Sequence, residues 1–372
     1  MVIGVVKEIK PYENRVALLP VGVESLVRLG HEVLVEREAG VRSGFSDECY
    51  EQCGATILDL PNEVFDVADM ILKVKEPQPE EYVMIREGQI VFTYFHFASS
   101  RSLTECICKT GCIAIAYETV EDLRGGLPLL TPMSEIAGRM SIQQGGRYLQ
   151  REKGGKGILM GGVPGVAPAT VMILGGGAVG TNAAYMAAGL GSNTYVLDVN
   201  VDRLRYLSEI MPANVTTLMS NTHTIRELVQ RADLIINGVL IKGDKAPKLI
   251  DRETLRTMPP GSVVVDVAID QGGGLETSRP TTHMDPTYVE EGVVHYCVTN
   301  MPGAVPVTST IALTNVTLPY ILALAQRGIK ALLDDTGFAK GVNMMYGHIT
   351  HPAVAKSHEL EYVPLESVLR TI

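Results

Sequence analysis

The 372-residue chain is long enough for two or three domains, and its 46% hydrophobic and 20% charged residues make an ordinary globular balance. A formal net charge of -10 excludes the basic footprint of a nucleic-acid binder. It leaves an anionic substrate open, because the local field of a site can oppose the global one. The first eight residues acquire charge too early for a signal peptide, so a cytoplasmic protein is expected. The six cysteines (Cys49, Cys53, Cys106, Cys108, Cys112 and Cys297) are then expected as free thiols.

Along the chain, short β-branched runs predict strands over 2–6, 32–36, 69–74, 90–94 and 113–116. Helical segments are expected between them over 21–29, 47–53 and 103–109, with Gly30 and Gly111 as stop signals. This alternation predicts a parallel sheet with helices on both faces. A long helix over 132–150 follows, then a glycine- and proline-rich loop over 154–168. The apolar stretch 157–179 approaches the length of a membrane span, but its glycines and two prolines fit a loop feeding a buried strand. Further strands are expected over 215–218, 234–237, 262–267 and 293–298. The residues 263–268 form the continuous apolar run of a strand buried on both faces. After a break at 302–306, an apolar helix over 309–326 is read as a buried core helix, with no new strand set after it. The chain is expected to return there to its first domain. The fold class is therefore α/β: two doubly wound, Rossmann-like domains with parallel sheets separated by a cleft, and no membrane span. Residues 1–128 and 308–372 form a discontinuous substrate domain, and 129–307 a dinucleotide-binding domain.

The most specific local signal is the run Ile173-Leu174-Gly175-Gly176-Gly177-Ala178-Val179-Gly180. An apolar strand, a glycine turn and a helix start make it a dinucleotide fingerprint. Gly175 permits the turn, Gly177 lets a pyrophosphate approach, and Gly180 lets the helix press on the strand. Ala178 and Val179 open the helix, whose N–H groups and dipole favour phosphate. A second strand ends in Asp198, about twenty residues on, suited to a ribose hydroxyl and repelling a 2′-phosphate. NAD is expected over NADP, with Arg203 close enough to qualify the preference.

Ligands of such sheets bind beyond the carboxyl ends of the strands. Arg15, Lys75, His96 and Asp270 all fall at or after such ends. Arg15 can hold a carboxylate in a planar fork, Lys75 adds a second positive charge, and His96 suits proton transfer near neutral pH. Asp270 can orient a water or an amine. Together with a nicotinamide they describe a dehydrogenase acting on a small 2-amino or 2-hydroxy acid. On spacing alone, His96 also reads as a structural histidine, Arg15 and Lys75 as surface charges, and Asp270 as a turn cap. Neither His348-x2-His351 nor the cluster Cys106, Cys108 and Cys112 has trustworthy metal-ligand spacing, so no metal is expected.

Longer motifs sharpen this reading. They are Lys73-Val74-Lys75-Glu76-Pro77, Phe95-His96-Phe97-Ala98, Pro132-Met133-Ser134-Glu135, Gly161-Gly162-Val163-Pro164-Gly165, Asp266-Val267-Ala268-Ile269-Asp270-Gln271 and Asn300-Met301-Pro302-Gly303. With them the chain resembles, over essentially its whole length, the alanine dehydrogenase family, which includes the NAD-binding subunit of nicotinamide nucleotide transhydrogenase. The resemblance implies reversible oxidative deamination of L-alanine to pyruvate and ammonium, with NAD reduced. It implies that Arg15, Lys75 and His96 contact the substrate and that His96 and Asp270 are catalytic. It further implies that Ser134, Asp198, Arg203, Ser220, Val239, Leu240, Ile269, Asp270, Asn300 and Met301 line the cofactor, and that the chain forms a homo-oligomer, a hexamer in many members. The rival readings are a transhydrogenase NAD subunit, a saccharopine dehydrogenase or carboxyalkyl amino-acid synthase, and a non-catalytic NAD-binding protein.

Overall fold

A computed structural model describes residues 1–239 and 246–370. The first six strands are β1 (Val2–Val5), β2 (Glu32–Glu36), β3 (Thr56–Leu58), β4 (Met70–Leu72), β5 (Ile90–Thr93) and β6 (Ile113–Ala116). They pair in parallel in the order β3-β2-β1-β4-β5-β6. This is a doubly wound sheet whose strand order reverses between β1 and β4. Helices Pro20–Arg28, Asp47–Gln52, Pro61–Val67 and Arg101–Thr110 connect the strands. Gly30 at φ 85° and Gly111 at φ 71° end two of them in the left-handed region. One face of the sheet presents Ile71, Val91 and Ala114 to Val64, Phe65, Leu103 and Ile107 of the helices in a single apolar cluster.

The next seven strands are β7 (Thr170–Leu174), β8 (Asn193–Asp198), β9 (Val215–Met219), β10 (Leu234–Asn237), β11 (Val263–Asp266), β12 (Thr287–Glu290) and β13 (Val293–Tyr296). Their order is β12-β13-β11-β10-β7-β8-β9, parallel throughout except for β12, which runs antiparallel to β13 at the edge. The reversal lies between β7 and β10. All four residues of β11 are buried, its three valines as their apolar run requires and Asp266 at its carboxyl end.

The chain divides into two compact units, 1–133 with 303–372 and 134–302. The crossings therefore fall five residues from the sequence-based boundaries. The first lies inside the helix Thr131–Tyr148, where composition gives no marker, and the second inside the short helical turn Met301–Ala304, at the edge of the break read at 302–306.

Two expectations need correction. Strands do follow the apolar helix: β14 (Val342–Met345) pairs antiparallel with β6, and β15 (His348–Ile349) with β14. Val-Asn-Met-Met has no alternation, and its strand character comes from the edge of β6. The buried Asn343 bonds Thr119 Oγ1 (2.7 Å) and the Gly341 carbonyl (2.9 Å) there. The sheets are thus parallel with antiparallel edges. The apolar helix runs Pro306–Arg327 and buries only one face, since Val307 and Ile311 remain 49% and 39% exposed. Thr310 on its inner face accepts from the Val16 amide (3.2 Å) and bonds Ser43 Oγ (2.9 Å), tying it into the first unit.

Phe92 on β5 is fully buried, packs edge-on against Tyr117 (centroids 4.4 Å apart) and contacts Phe338 of the returning segment (6.0 Å). Phe92→Ala is expected to destabilise the chain by about 3–5 kcal/mol, read as a lower midpoint in chemical denaturation. An unchanged midpoint would show that the returning segment is not held by this contact.

Candidate active site

The loops leaving β1 and β4, on either side of the strand reversal, carry six buried charged residues: Glu8, Glu13, Arg15, Lys73, Lys75 and Glu81. Three carboxyls thus face three cations, which is how charges survive burial. Lys73 bonds Glu8 (3.3 Å) and Glu81 (2.8 Å). Glu8 also accepts from the Val74 (2.6 Å) and Lys75 (3.1 Å) amides, fixing the backbone that presents Lys75. Arg15 donates Nε (2.7 Å) and Nη2 (2.5 Å) to the two oxygens of Glu13, while Nη1 reaches Met133 Sδ (3.1 Å). Burial alone would raise the Glu13 pKa, but Arg15, helped by Lys75, holds it down at about 2. Arg15 and Lys75 are therefore not surface charges. The edge of Arg15 that could grip a substrate bidentately through Nε and Nη2 is taken by Glu13.

His96 follows β5 with a left-handed backbone (φ 51°), a conformation costing on the order of 1–3 kcal/mol in a non-glycine residue. Its amide donates to Glu118 Oε1 (2.6 Å), and Nδ1 lies 3.9 Å from the same oxygen. Its ring lies parallel to that of Tyr94 (4° between planes, centroids 5.8 Å apart), and the Tyr94 hydroxyl donates to the Leu129 carbonyl (2.5 Å). The imidazole pKa is pushed well below its ordinary value, by burial and then by the charges of Lys75, Lys10 and Arg15. The side chain keeps 40% of its surface open, and the three cations act in the same direction as the burial of the rest. At neutral pH it is a neutral base.

Glu118 was missed in the sequence, although it stands just beyond β6 and obeys the same strand-end rule that selected the others. Burial pushes its carboxyl up to about 7, against the lowering effect of the Glu118, His96 and Phe95 amides and of Lys75. Its Oε2 is buried with no hydrogen-bond partner among the described residues. Glu8, Glu13, Lys73 and Glu81 were also missed. Their signal was their place in the β1 and β4 loops, masked because buried charges carry no periodicity.

In the second unit the fingerprint forms the turn after β7. Gly175 has φ 89°, and a Cβ on Gly180 would stand 1.8 Å from the Gly175 carbonyl, so helix and turn touch only because both are glycine. A Cβ on Gly177 would meet nothing within 4 Å, and helix Ala178–Gly189 opens there without a side-chain cap. An uncapped helix start with open space before it fits a pyrophosphate. Asp198 ends β8 beside the turn and accepts from the Gly176 (2.7 Å) and Asn200 (2.8 Å) amides, and its carbonyl takes the Ser220 amide (2.9 Å). Arg203 donates Nε to the Gly176 carbonyl (2.6 Å) and Nη2 to Thr181 Oγ1 (2.6 Å), with Tyr206 under its guanidinium. Its charge braces the glycine turn. Val239 lies against Gly175, half-buried Ser134 is on the helix Thr131–Tyr148, and Leu240 lies outside the described residues. Ile269 and the exposed Asp270 sit on the helical turn Val267–Gln271 after β11. That loop is closed by fully buried Asp266, which accepts from Asn237 Nδ2 (2.7 Å), the Gly274 amide (2.8 Å) and Ser278 Oγ (2.5 Å). Asn300 is left-handed (φ 57°), and Met301 is buried.

Two outcomes test these sites. Gly180→Ala is expected to lose most NADH binding, measured by fluorescence titration; wild-type affinity would dismiss the tight helix–turn contact. For Glu118, a folded pKa near 7 against about 4.5 unfolded means its contribution is fully present below about 4.5 and is lost as pH rises through 7, on the order of 3 kcal/mol. Glu118→Gln is therefore expected to raise the melting temperature more at pH 8 than at pH 5. An equal change at both would contradict the raised pKa.

Residues 4–137 match the N-terminal domain, and 141–352 the C-terminal domain, of the alanine dehydrogenase/PNT family. The chain is 55% identical to an alanine dehydrogenase of Methanococcus maripaludis over 99% of its own length and 100% of that protein. It is 56% identical to one from Bacillus subtilis, over 100% and 98% of the two chains. A solved L-alanine dehydrogenase superimposes with TM-score 0.93 at 51% identity, covering 96% of this chain and 99% of that one. A transhydrogenase from Sinorhizobium meliloti shares the fold, with TM-score 0.81 at 23% identity over 94% and 100% of the two chains. The chain is a member of the alanine dehydrogenase/PNT family.

Proposed function

We propose that this chain catalyses the reversible oxidative deamination of L-alanine to pyruvate and ammonium with NAD. The observation that carries the reading is the buried cation set at the β1/β4 reversal beside a neutral His96. A small 2-amino acid needs such a set: positive charge for its carboxylate and a base for its amine.

In this mechanism Arg15 and Lys75 hold the substrate carboxylate. Glu13 keeps Arg15 rigid, so little conformational entropy is lost when the substrate arrives. His96 takes the proton that the ammonium group must lose before the Cα–H bond breaks. Bound NAD supplies the hydride acceptor. Water then adds to the imine carbon, and His96 and Asp270 move protons as the carbinolamine collapses to pyruvate and ammonia. Gly175, Gly177, Ala178, Val179 and Gly180 would hold the pyrophosphate, and Asp198 the ribose. Ser134, Ser220, Val239, Ile269, Asn300 and Met301 would line the rest. The carboxylate of Asp198 supports NAD over NADP by repelling a 2′-phosphate. The proposed working form is a cytoplasmic homo-oligomer, the hexamer that the family likeness implies.

The test is NADH oxidation followed at 340 nm with ammonium and a panel of 2-oxo acids. Pyruvate is expected to be the best substrate, and alanine to reduce NAD in reverse. If the isolated chain turns over neither, the transhydrogenase-subunit reading takes its place. His96→Ala is expected to lower turnover roughly 100-fold or more with NADH affinity retained; near-normal turnover would remove His96 from the mechanism.

A further inference from the structure

The carboxyl of Glu118 is costly where it stands. Oε1 accepts the His96 amide, but a glutamine carbonyl would do the same without a group that must ionise in a buried setting. Oε2 gains no hydrogen bond in return among the described residues. What glutamine lacks is a charge that answers the protonation state of the imidazole, whose Nδ1 is 3.9 Å away. Buried ionisable groups kept at a stability cost cluster at functional sites.

We propose that Glu118 is the positioning residue of His96: Oε1 anchors the left-handed backbone that aims the imidazole, and the carboxyl is the electrostatic partner that favours its protonated form. The proposal rests on the dehydrogenase reading for its kinetic consequence but not for its geometry. Lys75 faces Glu118 from the β4 loop, and Tyr94 and His96 face it from the end of β5. His96 in turn is faced by Lys75, by Lys10 paired with Glu76, and by Arg15 paired with Glu13. The charges that act on the imidazole among the described residues, Lys75, Lys10 and Arg15, are all positive. With its Oε1 3.9 Å from Nδ1, an ionised Glu118 carboxyl opposes the field of Lys75, Lys10 and Arg15 on the imidazole.

The experiment compares the full-length wild type with Glu118→Gln and Glu118→Ala. NADH oxidation with pyruvate and ammonium is followed from about pH 4 to pH 9, together with nitrogen-15 NMR titration of the His96 ring over the same range. Glu118→Gln keeps the acceptor and loses the charge, so the imidazole pKa and the kcat/KM limb it controls are expected to move to acid by about half a pH unit or more, with kcat at the optimum within about threefold of wild type. Glu118→Ala loses the anchor as well, so kcat is expected to fall roughly tenfold or more with KM for pyruvate less affected. A His96 titration and pH profile identical to wild type in Glu118→Gln would overturn the proposal, whether or not the alanine variant folds. If the wild type shows no pyruvate-dependent oxidation, the dehydrogenase reading fails, while the NMR titration still decides the role of Glu118.

Discussion

Burial of charge at the strand reversal of the first unit is the constraint on which the rest depends. Glu8, Glu13 and Glu81 stand against Lys73, Arg15 and Lys75 in a region with almost no solvent exposure. Removing one member of such a pairing costs about 3–5 kcal/mol, because its partner is stranded in a poor solvent. The set can exist only where every ion has a counter-ion, and that requirement fixes the conformations of two loops. The β1 loop is held because Glu13 grips Arg15. The β4 loop is held because Glu8 takes two successive amides and the Lys73 ammonium. The cations are pre-placed, so binding a carboxylate need not order them.

The same positive field shapes the base. Burial, reinforced by Lys75, Lys10 and Arg15, keeps the His96 imidazole unprotonated, and the neutral form is the one able to take a proton from an ammonium substrate. The strained backbone of His96 fits this picture. Local strain persists only where the surroundings over-determine it, and here an amide held by Glu118 and a ring lying parallel to Tyr94 do so. In the second unit, close contact replaces charge. Gly180 presses on Gly175, and Asp198 and Arg203 hold Gly176 through its N–H and its carbonyl, which belong to the two successive peptide units that flank it. Asp198 thus shapes the turn. Arg203, read from sequence as a qualification on cofactor choice, is engaged in holding that turn.

Much of this was legible in the amino-acid sequence because its causes are local. A glycine turn between an apolar strand and a helix declares itself, and so does the run of three valines in β11. The strand-end rule located Arg15, Lys75, His96 and Asp270 because polar residues interrupt apolar runs there. Applied once more after β6, the rule would have reached Glu118. The strands β14 and β15 were beyond it: Val-Asn-Met-Met becomes a strand because β6 offers an unpaired edge, a property of the assembled sheet.

The order of elements, the two glycine-turn and strand-end site regions and the family of the chain were determined by sequence, because each depends on residues near one another along the chain. Whether Arg15 is a solvated charge or a clamped one, which edge of it Glu13 occupies, and that a carboxyl from beyond β6 holds the backbone of His96 were decided only by tertiary structure. Those facts depend on desolvation and on distances between segments far apart in sequence, and neither quantity exists until the sheet has assembled.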